Sequence, residues 1–309
     1  MSGSAVYTIG IPGQKWGKKE KETWLSKQSI KRSYQDEVVT KIEKLKNQFD
    51  IATYGAISYD ENKYPLYVIT SLNWDETKPT VLITGGVHGY ETSGVHGALG
   101  FVSSQALNYT NQFNLIITPC ISPWGYETIN RWNPNADDPN RSFYENSPAA
   151  ESAALMKYIA SLNTKITAHI DLHETTDTDN TQFRPALAAR DATVHDNWNI
   201  PDGFYLVGDT LNPAPDFQGA IINKVKSITH IAPADGQGKI IGSPLEQEGV
   251  INYPTSKLSL CIGFTQATYS TTTEVYPDSD NVTDEECINA QITAITAGLD
   301  YISEKNNHI

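Results

Sequence analysis

The chain has 309 residues, enough to bury a sizeable core, and its 39 % apolar and 19 % charged residues describe a globular protein. Its net charge of −13 argues against a nucleic-acid surface, which needs a basic footprint, and no apolar run approaches the roughly 20 residues of a membrane span. Three widely spaced cysteines (Cys120, Cys261, Cys287) in no CxxC pair, behind an N-terminus without the basic-then-apolar layout of a secretory signal, lead us to expect reduced thiols in a cytoplasmic protein.

Residues 1 to about 30 read as an irregular extension, and its basic stretch, Lys15 to Arg32, mixes Lys with Glu as a solvated face does. Helical spacing runs from Ser33 to Phe49, with Val38, Val39, Ile42 and Leu45 on one side. Ile51–Ser58 and Leu66–Ser71 read as a strand pair around a turn at Asp60–Asn62. Thr80–Thr84 is a continuous apolar strand, followed by Gly85-Gly86 and a helix from Thr92 to Ser104. Phe113–Thr118 reads as a buried strand, Pro148–Leu162 as a helix, and Lys165–Leu172 as another apolar strand. Between Pro185 and Pro254 proline and glycine crowd, so residues 177–254 read as a loop-rich region over the sheet, with a helix near Phe217 to Ser227. Thr268–Val275 is β-branched and strand-like, and Val282–Glu304 closes the chain as a helix capped by Thr283-Asp-Glu-Glu286. The expected fold is a single α/β domain with a mixed, largely parallel central sheet and helices on both faces.

In open α/β sheets ligands bind outside the carboxyl ends of the strands, and three polar clusters fall there. His88 and Glu91 follow the Thr80–Thr84 strand; an imidazole and a carboxylate three residues apart can grip one zinc ion, which in a catalytic site needs a third protein ligand and an open position for water. In Ala168-His-Ile-Asp-Leu-His-Glu174 the side chains of His169, Asp171 and His173 share one face, with His173 at the exit. Glu274 ends Thr271-Thr-Thr-Glu274. Between the first two clusters lies Asn130 to Phe143, a loop dense in Arg, Asn and Asp. Each cluster alone is weak; their order is informative.

That order resembles the zinc metallocarboxypeptidases of the carboxypeptidase A type, in their compact bacterial form, together with the related succinylglutamate desuccinylase and aspartoacylase branch. The pattern of HxxE, an Arg, Asp-x-Asn-Arg, a His and a late Glu reads here as His88/Glu91, Arg131, Asp138-Pro-Asn-Arg141, His173 and Glu274. Pro123-Trp-Gly-Tyr-Glu127 is similar to the family's Asn-Pro-Asp-Gly-Tyr segment, with Ser122 in place of the Asn. The resemblance implies one Zn2+ held by His88, Glu91 and His173, with Glu274 as general base toward a metal-activated water. It implies Arg131 on the scissile carbonyl, Asn140 and Arg141 on a free substrate carboxylate, and Asp138 orienting the first histidine. Tyr253, in Glu248-Gly-Val-Ile-Asn-Tyr253, is similar to the family's mobile substrate-capping tyrosine. His169 and His96 are expected to be structural.

Within the family, the 35 residues after Glu274 and the long gap before it suit a peptidase, whereas Asp171-Leu-His-Glu-Thr-Thr176 suits the deacylases. The expected activity is hydrolysis of an amide next to a free carboxylate, on a short peptide or N-acyl amino acid; the alternative is an N-acyl amino-acid deacylase. No nucleic-acid or membrane partner is expected. The side-chain pocket is expected around Ser256 to Thr272, with Lys257 or Arg184 as basic candidates.

Overall fold

The computed structural model describes residues 7–195 and 199–306, so residues 1–6 of the expected extension lie outside the described residues. The extension is not wholly irregular, because helix α1 (Lys18–Leu25) forms inside it. Its polar sequence buries only Trp24, so there is no apolar stripe for a periodicity argument to find. One π-helical turn, Gln35–Val39, leads into the short helix α2 (Thr40–Glu43). The helix expected to reach Phe49 stops early, since Phe49 begins a strand, yet Val38, Val39, Ile42 and Leu45 are buried as the spacing requires.

Strands β1 (Phe49–Ala56) and β2 (Pro65–Ser71) pair antiparallel, with an irregularity between Thr53 and Gly55. Strand β3 (Thr80–Gly85), helix α3 (Thr92–Ser104), strand β4 (Asn114–Thr118), helix α4 (Pro123–Thr128), helix α5 (Ala150–Ser161) and strand β5 (Ile166–Glu174) follow. Then come helix α6 (Arg184–Asp191), strand β6 (Tyr205–Asp209), helix α7 (Pro215–Val225) and a small ribbon of β7 (Lys239–Ile240) with β8 (Ser243–Pro244). Strands β9 (Val250–Tyr253) and β10 (Tyr269–Val275) and helix α8 (Asp284–Asn306) complete the chain. The α8 cap is reciprocal, as its sequence suggests: Glu286 N donates to Thr283 Oγ1 at 3.2 Å, and Thr283 N donates to Glu286 Oε2 at 2.8 Å.

The central sheet has eight strands in the order β1-β2-β4-β3-β5-β10-β6-β9. Neighbours from β4 through β3 and β5 to β10 run parallel, and antiparallel pairs flank this block. The fold class is therefore the one expected. The region 177–254 departs from the reading in one respect: β6 and β9 extend the central sheet instead of only covering it. At five and four residues they are too short to show a period among the surrounding Gly and Pro.

Two apolar cores cover the faces of the sheet. Val81 and Ile83 of β3 join α3, α7 and α8 side chains on one face, while Leu82 joins Leu155 and Ile159 of α5 on the other. Glycines let α3 sit directly on the strands that carry the site. A Cβ on Gly94 would stand 2.5 Å from Leu172 O, and one on Gly85 would stand 2.6 Å from Gly94 O. Backbone atoms cannot yield cheaply, so Gly94→Ala is expected to lower stability by about 1–3 kcal/mol in chemical denaturation; an unchanged midpoint would show that this close approach is dispensable.

Candidate metal centre

The β3–α3 connection is a tight turn in which Glu91 N donates to His88 O at 3.2 Å, so both side chains enter one buried space. His173, near the end of β5, meets them there. Donor atoms of His88, Glu91 and His173 all lie within 4.8 Å of one another. His88 Nδ1 is 2.8 Å from Glu91 Oε1, and His173 Nδ1 is 2.6 Å from Glu91 Oε2. The second contact lacks hydrogen-bond geometry, and Oε2 is a buried carboxylate oxygen with no hydrogen-bond partner. Two imidazoles and a carboxylate converging this closely suit a divalent cation, which would replace the proton competing for Nδ1.

Each imidazole is fixed from behind by its other nitrogen. His88 Nε2 lies 2.9 Å from Asp138 Oδ1, and His173 Nε2 lies 2.8 Å from Asp171 Oδ2. A carboxylate behind each histidine selects the tautomer that leaves Nδ1 for a metal and raises ligand basicity. Asp138 thus stands where the resemblance puts it. The role of Asp171 was not assigned from sequence, although its i,i+2 relation to His173 in a strand carried the signal. Burial opposes ionisation of Glu91, but His173 and His88 outweigh it and hold the carboxyl down at about 2. Burial likewise opposes ionisation of Asp138, and Arg131 and His88 hold it well below the usual range.

Glu274 is placed by strand register. In the parallel β5–β10 pair its residue partner is His173, while Thr272 pairs with Asp171. Thr175 Oγ1 donates to Glu274 Oε2 at 3.1 Å. Burial pushes the Glu274 carboxyl up to about 8, against the opposing pull of His173, with Glu91 and Asp179 adding to the rise. Arg131 sits beside the same centre, its Nε donating to Asp138 Oδ2 at 3.2 Å, its Nη1 3.6 Å from Asp179 Oδ1, and its guanidinium 4.2 Å from the centre of the Phe183 ring.

A cleft of about 530 Å³ opens from these groups, and Arg131, Arg141, Arg184, Tyr205, Tyr253 and Glu274 are among its lining residues. Arg141 and Tyr253 therefore face the space where the reading needs them. Asn140 is more committed: its Oδ1 accepts from Cys261 N at 2.8 Å, and its Nδ2 lies 3.3 Å from His173 Nε2. This places Asn140 against a candidate metal-donor histidine and ties its loop to the segment before β10. The expectation of a pocket built around Ser256 to Thr272 is not met, because the cleft wall on that side comes from Tyr205, Val207, Ile241 and Tyr253 instead. Strand β6 fills the place next to β10, which a sequence reading without β6 could not anticipate. Arg184 does line the cleft; Lys257 does not.

The other histidines of the reading have structural partners. His169 Nε2 is 3.0 Å from Thr84 Oγ1, which itself donates to Asp171 Oδ1 at 2.6 Å. His96 Nε2 is 3.1 Å from Tyr126 Oη, on the outer side of α3.

Residues 77–198 match the family profile of the succinylglutamate desuccinylase/aspartoacylase catalytic domain. No curated protein matches the chain. Among solved structures, a Shewanella amazonensis protein named as a candidate metallopeptidase superposes with a TM-score of 0.64 at 20% identity, covering 85% of this chain and 90% of that one. A metallo-carboxypeptidase from Burkholderia cenocepacia gives 0.58 at 14% identity, over 94% of this chain and 70% of that one. Bovine thrombin-activatable fibrinolysis inhibitor gives 0.55 at 14% identity, over 95% and 99%. The chain is thus similar to that catalytic domain over residues 77–198 and shares its fold with metallopeptidases and metallo-carboxypeptidases of low sequence identity. The converging His88, Glu91 and His173 are a candidate metal centre, and no helix among the described residues is long and apolar enough to cross a membrane.

The histidines held neutral give the fold an acid sensitivity of definite sign. Burial, with Lys41 and Arg32 nearby, lowers His96 to about 4 against Glu37, and burial lowers His169 to about 4 against Asp171. The unfolded chain protonates these imidazoles near the ordinary value of about 6.5. Their contribution to stability is therefore complete above that value and is lost as pH falls toward 4. Urea melts of wild type and His96→Gln across this range should show the wild type losing more stability on acidification; parallel curves would contradict the assignment.

Proposed function

We propose that the protein is a zinc-dependent hydrolase that cleaves an amide or peptide bond next to a free carboxylate, with residues 1–309 acting as one catalytic domain. The observation that carries this reading is the convergence of His88, Glu91 and His173 with Glu274, which the β5–β10 register sets beside His173. Zinc bound by the three donors would supply a Lewis acid for the carbonyl and acidify a water at neutral pH.

The chain's own residues divide the remaining work. Glu274, set beside His173 by strand register, takes a proton from the attacking water in its ionised form and returns it to the leaving nitrogen. Arg131, immobilised by Asp138, Asp179 and Phe183, offers its guanidinium to charge developing on the carbonyl oxygen. Arg141 holds the free carboxylate, Asn140 fixes the loop that carries Arg141, and Tyr253 closes the opposite wall. Neither Arg141 nor Arg184 makes an ion pair with a carboxylate among the described residues, and both line the cleft. Arg184 is buried, with Nη1 donating to Asn180 Oδ1 at 2.6 Å and to Asn199 O at 3.1 Å, both uncharged. Two cleft arginines that form no ion pair among the described residues suit a short peptide or N-acyl amino acid that carries a second anionic group. The three cysteines are buried and free, which supports a reducing, cytoplasmic setting.

A second reading is an N-acyl amino-acid deacylase, favoured by the match of residues 77–198 to the desuccinylase/aspartoacylase catalytic domain. Parallel assays on C-terminal dipeptides and on N-acetyl and N-succinyl amino acids separate the two. Glu274→Gln is expected to keep its zinc and lose activity by roughly 10²–10⁴-fold; full activity in this variant would sink the mechanism. For Arg184→Met, kcat/KM should fall roughly 10–100-fold on dicarboxylate substrates and stay unchanged on neutral analogues. Equal loss on both classes would remove Arg184 from substrate selection.

A further inference from the structure

We infer that Arg32, on the segment preceding the π-helical turn Gln35–Val39, is a positioning residue that holds the metal-binding turn in its binding shape. The inference rests on the proposed metal reading and concerns a residue outside the donor set. His88 and Glu91 can meet only while Gly89 and Tyr90, the two residues between them, fold back tightly. The turn presents their carbonyl oxygens on its outer side, and Arg32 engages both. Its Nη2 donates to Gly89 O at 3.0 Å and lies 3.5 Å from Tyr90 O. Its Nη1 donates to Thr92 Oγ1 at 2.7 Å, at the first residue of α3, and its Nε donates to Tyr126 O at 2.6 Å in α4.

The guanidinium is itself fixed, lying 3.5 Å from the centre of the Tyr126 ring. Its own chain is anchored too, since Lys31 N and Arg32 N both donate to Glu127 O, at 2.7 and 3.2 Å. One planar group thus ties α4, the metal turn and the start of α3 together through donors pointing in three directions. Lysine has no such fork, so it can satisfy only part of the set. Space around the turn is already exhausted: a Cβ on Gly89 would stand 2.1 Å from Tyr126 N. The turn is therefore packed on one side and hydrogen-bonded on the other, and Arg32 supplies the second restraint. Loss of Arg32 frees the carbonyl of Gly89, leaves Tyr90 O only its bond from Thr92 Oγ1 at 3.2 Å, and loosens the spacing of the donors they separate. The effect should appear first in the affinity for metal, as expected for groups that orient ligands from outside the coordination sphere.

The test is competitive zinc titration of the metal-stripped full-length chain against a chromophoric chelator, with the thermal midpoint of each metal-free variant measured alongside. Arg32→Met is expected to bind zinc roughly 10–100-fold more weakly, and Arg32→Lys to recover part of the loss. Thr92→Val, which leaves the arginine in place but removes both its anchor at Thr92 Oγ1 and that hydroxyl's bond to Tyr90 O, should weaken binding in the same direction. It keeps the inference testable if Arg32→Met does not fold. Cobalt(II) spectra of the loaded variants should shift, because a purely structural role would leave the ligand geometry intact. Unchanged zinc affinity in a folded Arg32→Met, or in both Arg32→Lys and Thr92→Val should Arg32→Met not fold, beside a wild type that binds tightly, would overturn this inference alone. A wild-type chain that takes up no zinc would overturn it together with the metal reading.

Discussion

One buried carboxylate held between two imidazoles is the constraint to which the rest of the molecule answers. Glu91 faces His88 and His173 at 2.8 and 2.6 Å, all three nearly without solvent contact. Such a cluster is costly to bury unless its charges are matched and its geometry enforced. The surroundings do both. Asp138 and Asp171 brace the imidazoles, and Arg131 offsets the accumulated negative charge beside Asp138 and Asp179.

The sheet makes that enforcement possible. Parallel strands β3, β5 and β10 end side by side, so residues distant in sequence arrive at one edge with their side chains already aimed. The loops above contribute the arginines and are themselves tied down. Asn140 links the loop of Arg131 and Arg141 both to His173 and to the backbone at Cys261. The result is a cleft whose floor is set by strand register and whose walls are set by hydrogen bonds between loops.

Much of this was legible in the sequence where local chemistry is strong. The apolar run of β3, the period of α3 and the cap of α8 announced themselves, and the ordered set of His88, Glu91, Arg131, Asp138, His173 and Glu274 named residues that the fold gathers around the candidate centre. Three things were not legible, each for a physical reason. Helix α1 has a single buried side chain, so it offers no stripe. Strands β6 and β9 are short and sit among Gly and Pro, so the wall they build could not be assigned, and the pocket was sought in the wrong segment. The bonds of Arg32 to the metal turn, across some 57 residues, arise from tertiary packing alone, and no motif marks them.

The register of β5 against β10 also has a temporal side. The residues of the donor set lie on or beside β3 and β5, which pair with each other directly. Glu274 reaches them only when β10 docks along β5, across a separation of roughly a hundred residues whose closure is slow and entropically costly. During synthesis the elements that carry the candidate metal donors are thus complete well before the strand that carries Glu274. In the proposed reading, a half-made chain would hold the candidate metal donors before it holds the proposed base, and competence would arrive with one of the last strands of the sheet.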